Sequence, residues 1–233
     1  MIDKKEFSKI TYLVISALEG GYYHPDMLTD GRIKDTRYNS SGETMFGIDR
    51  KNGGAINTST DGKKFWAVID NAGARSKWKY NYMGGDLAPQ LKELAAAMMY
   101  PVYNTLASAY LSTKAKPIVE KDSRLLFHFI YAAWNGAGWF KKFASDINKA
   151  VESGITNPDT LAQVAINSRT KEGLTAGSKP NSLIAQTGAK IANIFETLPV
   201  NNDVNNNTNF ASLGGGLMPI IAILILLSIL FKR

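Results

Sequence analysis

Phe7, Ile10, Leu13, Val14, Ala17 and Leu18 recur at three- and four-residue intervals, so Asp3 to Glu19 reads as an amphipathic helix that Gly20-Gly21 stops. Tyr12 and Ile15 lie on its other side, and Glu19 falls on that side one turn beyond Ile15. A helix that is apolar on more than one side must be packed on more than one side. The rest of the chain therefore has to build a core around this helix, with a carboxylate at its end.

The 233 residues, 45% of them hydrophobic, suffice for one good-sized domain and an appendage. Cysteine is absent, which excludes disulfides, thiol nucleophiles and thiolate metal sites. A net charge of +7 favours anionic partners such as acidic wall polymers, lipid headgroups or nucleic acid. No RNP-like aromatic motif, zinc-finger spacing or basic recognition helix occurs, so nucleic acid is not an expected partner.

Tyr22 to Gly62 is rich in Gly, Asn, Asp, Ser and Thr and reads as irregular loops with short strands. Trp66 to Ile69 reads as either a strand or a helix start. Asp86 is expected to cap a helix that Pro101 breaks or kinks before Val102 to Leu111 resumes. Asp122 caps the next, Ser123 to Trp134, and Asn135-Gly136-Ala137-Gly138 separates it from Trp139 to Ser153. Asp159 to Lys171 and Ser182 to Leu198 follow. The expected class is α+β, mainly α-helical with a small β region.

From Leu213 to Phe231 the chain carries no charge, and Lys232-Arg233 close it. As a helix these 19 residues reach about 28 Å, against roughly 30 Å of bilayer hydrocarbon. Residues 217–231 are therefore expected to form a C-terminal transmembrane helix, with the terminal Lys-Arg on the cytoplasmic side. The tract 200–216, built of Asn, Asp, Thr, Ser and Gly, reads as a flexible tether, leaving residues 1–199 as the folded domain. The N-terminus lacks the apolar stretch and cleavage site of a secretory signal.

Glu19, with Ile15 and Tyr12 as neighbours and a helix C-terminus behind it, is a carboxyl whose proton should be hard to remove. Glycoside cleavage needs such an acid to protonate the departing oxygen. A solvated Glu ending a helix is the plain alternative. The motifs Glu19-Gly20-Gly21-Tyr22 and Gly42-Glu43-Thr44-Met45-Phe46-Gly47-Ile48 tip the balance. The chain resembles the lysozyme superfamily, and within it the phage and bacterial N-acetylmuramidases that carry Glu-Gly-Gly-Tyr followed by Gly-Glu-Thr-x-x-Gly-Ile. Ala133-Trp134-Asn135-Gly136-Ala137-Gly138 is similar to the Asn-Gly turn, at the end of a long helix, that lines the cleft in lysozyme-like folds.

The resemblance implies a lysozyme-like domain in which Glu19 is the catalytic acid and Thr44 faces it across a cleft, holding a water. It covers roughly residues 3–155; the stretch Tyr23 to Ser41 is longer than the family's usual gap. Glu43, Asp49 and Asp35 are candidates for a second carboxylate, with Glu43 the first choice. An inverting enzyme holds its base about 6.5–9.5 Å from the acid and a retaining one about 5–5.5 Å. A single acid would instead suit a lytic transglycosylase.

Tyr22, Phe46, Trp134 and Asn135 are the expected substrate contacts, within a wider set of aromatic residues that includes Tyr23, Tyr80 and Tyr82. His24 and His128 belong to no metal pattern, and no Gly-x-Ser-x-Gly elbow or phosphate loop occurs, so neither metal nor cofactor is expected. Peptidoglycan and a lipid membrane are the expected partners, with phage capsid proteins if the chain is a virion component. A membrane-anchored muramidase, in a virion membrane or the host inner membrane, is the resulting expectation. The competing class is a non-catalytic virion membrane protein.

Overall fold

The structure, a computed structural model, describes residues 2–24, 43–175 and 183–198, all within the unit Met1–Asn201. The described residues are mainly helical with very little strand. Helix α1 (Lys4–Leu18) starts where the Asp3 carboxylate accepts from the Lys5 and Glu6 amides, and stops at Glu19, whose backbone is extended.

The two sides of α1 are buried in two different cores. Phe7, Ile10 and Val14 join a large helical cluster, whereas Ile15 joins a smaller one around Tyr22, Met45, Phe46, Phe65 and Trp66. Each such apolar side chain contributes about 1.5–3 kcal/mol when fully removed from water.

The large cluster centres on α7 (Ser123–Trp134), in which every residue from Ser123 to Ile130 is buried. Around it pack α1, α5 (Ala88–Tyr110), α6 (Ala115–Lys121), α8 (Ala137–Glu152) and α9 (Pro158–Thr175), and α10 (Leu183–Thr197) lies against α9. His128, in the middle of α7, is fully buried against the rings of Phe129 and Phe143. Burial first, and then the Arg169 charge, hold its pKa well below the usual range, so it is a neutral core histidine.

The smaller cluster is closed by the hairpin β1 (Thr44–Met45) and β2 (Ile48–Asp49), by α3 (Thr60–Asn71), and by Leu91, Ala95 and Met98 of α5. Thr44 pairs with Asp49 and Met45 with Ile48, antiparallel. Tyr23 bridges to Thr44 and Tyr22 to Tyr82, so four short extended segments lie side by side. Short α2 (Ala55–Thr58) and α4 (Ala74–Lys77) flank α3.

Several expectations need correction. Trp66 to Ile69 is the interior of α3, which begins ahead of it where the Ser59 hydroxyl accepts from the Gly62 amide. Asp86 does not cap α5; it sits in a 3-10 turn, Gly85–Leu87, and α5 starts with Pro89 in its first turn, where a missing N–H is harmless. Pro101 does not end that helix either. Met98, Met99, Tyr103 and Ala107 are buried on both sides of it, and their packing offsets the roughly 3 kcal/mol that an interior proline costs. The turn after α7 is only Asn135-Gly136, with Gly136 at φ 106°. The tether 200–216, the transmembrane helix 217–231 and Asp35 lie outside the described residues. Among the described residues no helix is long and apolar enough to cross a membrane.

Candidate active site

The chain leaves α1 at Glu19 and threads immediately between two other segments. A Cβ on Gly21 would sit 2.5 Å from the Asn81 carbonyl oxygen, so only glycine admits this approach. In return the Gly21 amide donates to Asn81 Oδ1 at 2.7 Å, and the Tyr22 amide donates to the Tyr82 carbonyl at 2.8 Å. Tyr23 then exchanges a pair of 2.9 Å bonds with Thr44. The Glu-Gly-Gly-Tyr motif is thus a backbone splice joining the helix end to the hairpin on one side and to the 78–82 loop on the other.

The hairpin turn itself faces Glu19. Phe46 (φ 55°) and Gly47 (φ 71°) both adopt left-handed backbone, as a two-residue turn of the primed type requires. Phe46 is held in that conformation by complete burial and by its carbonyl, which accepts from Trp134 Nε1 at 2.9 Å. A Cβ on Gly47 would lie 2.1 Å from Glu19 Oε2 and 3.2 Å from Trp134 Nε1. The carboxyl of Glu19 therefore rests on the bare backbone of the turn, beside the Trp134 indole. Burial pushes its pKa up to about 7. Near neutral pH it holds a proton for a substantial part of the time and can donate it.

The other predicted residues divide into those that reach this carboxyl and those that support it. Trp134 is brought to it and is half-buried. Thr44, half-buried, stands on β1 opposite Tyr23. Tyr22 and Phe46 have no exposed surface, so neither ring offers a face to a sugar; both are walls of the smaller core, a correction to their expected role as substrate contacts. Asn135 is exposed, but its amide turns back to the Tyr131 carbonyl of its own helix at 2.8 Å.

Glu43 is buried, with Oε1 accepting from the Tyr22 hydroxyl at 2.5 Å and Oε2 paired with Arg50 at 2.8 Å. Arg50 also grips Asp70 of α3 with two bonds of 2.7 Å and lies over the Trp66 ring. Glu43 is thus committed to a structural network that fixes Tyr22, contrary to its selection as the second catalytic carboxylate. Asp49 is committed too: its Oδ1 accepts from the Lys51 and Asn52 amides, and its Oδ2 from the Asn52 side chain.

Sequence reasoning missed Asn81 and the role of Gly47. Asn81 sits at φ 61°, and an Asn between two tyrosines ahead of Gly84-Gly85 is the one local signal of such a turn. Among the described residues no group of three or more His, Asp or Glu side chains is placed to hold a metal ion. Compared with protein-family models, curated proteins and solved structures, the chain matches none.

Proposed function

We propose that this chain is a peptidoglycan-cleaving glycosidase, a muramidase of lysozyme-like fold, with Glu19 as its general acid. The observation that carries the reading is the placement of the Glu19 carboxyl, half-buried at a helix end and resting on Gly47 beside Trp134, where burial pushes its pKa up to about 7. The motif resemblance around Glu19 and Thr44 supplies the substrate, the bond between N-acetylmuramic acid and N-acetylglucosamine. Glu19 gives its proton to the glycosidic oxygen as the C1–O bond breaks, and water adds its hydroxyl at C1 while its other proton passes to solvent, from which Glu19 is protonated again. Thr44 is the candidate to orient that water, while Glu43 acts indirectly, by holding Tyr22.

The engagement of both Glu43 and Asp49 favours a second reading, a lytic transglycosylase, in which the sugar's own hydroxyl attacks C1 and passes its proton to the Glu19 carboxylate left by the first transfer, so that no second carboxylate is needed. The uncharged run ending at Phe231 supports attachment to a membrane, with the tract 200–216 as tether. A virion-associated lysin, used in host penetration or release and contacting capsid proteins, fits that architecture.

Clearing of a peptidoglycan gel by the parent, with no clearing by Glu19→Gln, is the expected outcome. Equal clearing by both would remove Glu19 from the chemistry. Mass spectrometry of the products separates the readings: a reducing muramic end means hydrolysis, a 1,6-anhydro end means transglycosylation.

A further inference from the structure

Among the described residues Leu13, Tyr80 and Tyr82 are the exposed large apolar side chains. Leu13 stands by itself on the outer side of α1, whereas the two tyrosines share the loop that hydrogen-bonds to the residues right after Glu19. The left-handed Asn81 between them reverses the chain, and both flanking rings reach the surface. Tyr80 is 58% exposed and Tyr82 40% exposed, yet each is held. Tyr80 stands edge-on to Tyr23 at 6.0 Å, and Tyr82 leans on Trp78 at 5.3 Å. The Tyr82 hydroxyl lies over Gly85, where a Cβ would be 2.0 Å away. Rings already fixed lose little entropy on binding, and half-open aromatic faces stack on the apolar faces of pyranose rings. Lys77, the last residue of α4, and Lys79 on the loop are exposed, and neither is paired with a carboxylate among the described residues.

Resting on the reading of Glu19 as a glycosidic acid, we infer that Tyr80 and Tyr82 form a sugar-stacking subsite adjoining it. The occupant is a pyranose of a glycan strand whose carboxylates are received by Lys77 and Lys79. The patch is tied by hydrogen bonds to Gly21 and Tyr22, two and three residues after the acid, and its charge is opposite to that of a peptide-bearing muramic strand.

Binding is measured without turnover, by sedimenting full-length Glu19→Gln protein in mild detergent with purified insoluble wall sacculi. Adding Tyr80→Ala is expected to weaken binding at least tenfold, and adding Tyr80→Phe, which keeps the ring face, to leave it within twofold. Raising salt from 50 to 500 mM should weaken binding several-fold, and neutral chitin oligomers should compete poorly. In the active chain Tyr80→Ala should raise KM more than it lowers kcat. Sacculus binding unchanged by Tyr80→Ala, or equal loss in Tyr80→Phe and Tyr80→Ala, would overturn the subsite. So would a loss of self-association by Tyr80→Ala in light scattering with wall binding intact, which would make the patch a contact between copies. Failure of Glu19 as the acid is read separately, from clearing of the wall by Glu19→Gln, whereas the subsite is read from the difference between Tyr80→Ala and Tyr80→Phe in one background.

Discussion

Glu19 gathers its chemistry from what surrounds it. Because burial pushes its pKa up to about 7, kcat/KM should be level on the acid side and fall about tenfold per pH unit above roughly 7, as the donor loses its proton. The same shift has a stability consequence of determinate sign. Between the unfolded pKa near 4.3 and the folded value the native state holds more protons than the unfolded one, so stability falls as pH rises through that window. Glu19→Gln removes the buried charge. At pH 8 it should be more stable than the parent by about 2 kcal/mol, with part of the carboxyl still screened by water, and at pH 4 the two should melt together. Calorimetry at both values checks this. Gly47→Ala tests the seat of the carboxyl, since its Cβ would meet Glu19 Oε2 at 2.1 Å and its φ of 71° disfavours any side chain. Turnover should fall on the order of a hundredfold, with a melting loss of only a few degrees.

Elements announced themselves in the sequence where the cap and the periodicity agreed. Asp122 is the example: expected as a cap, it accepts from the Arg124 and Leu125 amides and also binds the Arg124 guanidinium at 2.7 Å. Asp122→Ala removes a cap and leaves a buried arginine with Asp159 as its remaining carboxylate among the described residues. The expected loss is about 3 kcal/mol, read as a lowered urea midpoint with an unchanged slope. Asp86 had the same residue type and a similar apolar run after it, but it lies inside the 3-10 turn that Gly84 begins and that runs into α5, where Leu87 holds the cap position. Pro101 misled for the opposite reason, because helix interruption is a local signal and the burial that overrides it is tertiary. Glu43 looked catalytic because it stood in a motif; that Arg50 and Tyr22 would claim both its oxygens depends on contacts 7 and 21 residues away, which no local pattern carries.

At the level of the whole molecule, two cores meet at α1 and at Trp134, which packs against both and donates to the hairpin turn. The acid sits on that seam, so its geometry depends on the helical cluster and on the hairpin together. This much was foreshadowed by a first helix apolar on two sides. The proposed partition of the chain into a catalytic unit and a membrane attachment rests on composition, the uncharged run Leu213 to Phe231 after a polar tract, and it makes a separable prediction. Every residue of the proposed site lies within Met1–Asn201, so a chain ending at Asn201 should cleave suspended wall fragments with kcat within twofold of the full-length protein. It should not sediment with phospholipid vesicles in alkaline carbonate, whereas the full-length chain should. On wall held against vesicles the ranking should change, because tethering replaces a bulk encounter by an effective concentration on the order of millimolar, and the full-length chain should then be faster by tenfold or more. Equal rates in that geometry, together with equal sedimentation, would mean that residues 202–233 do not bring this site to a membrane.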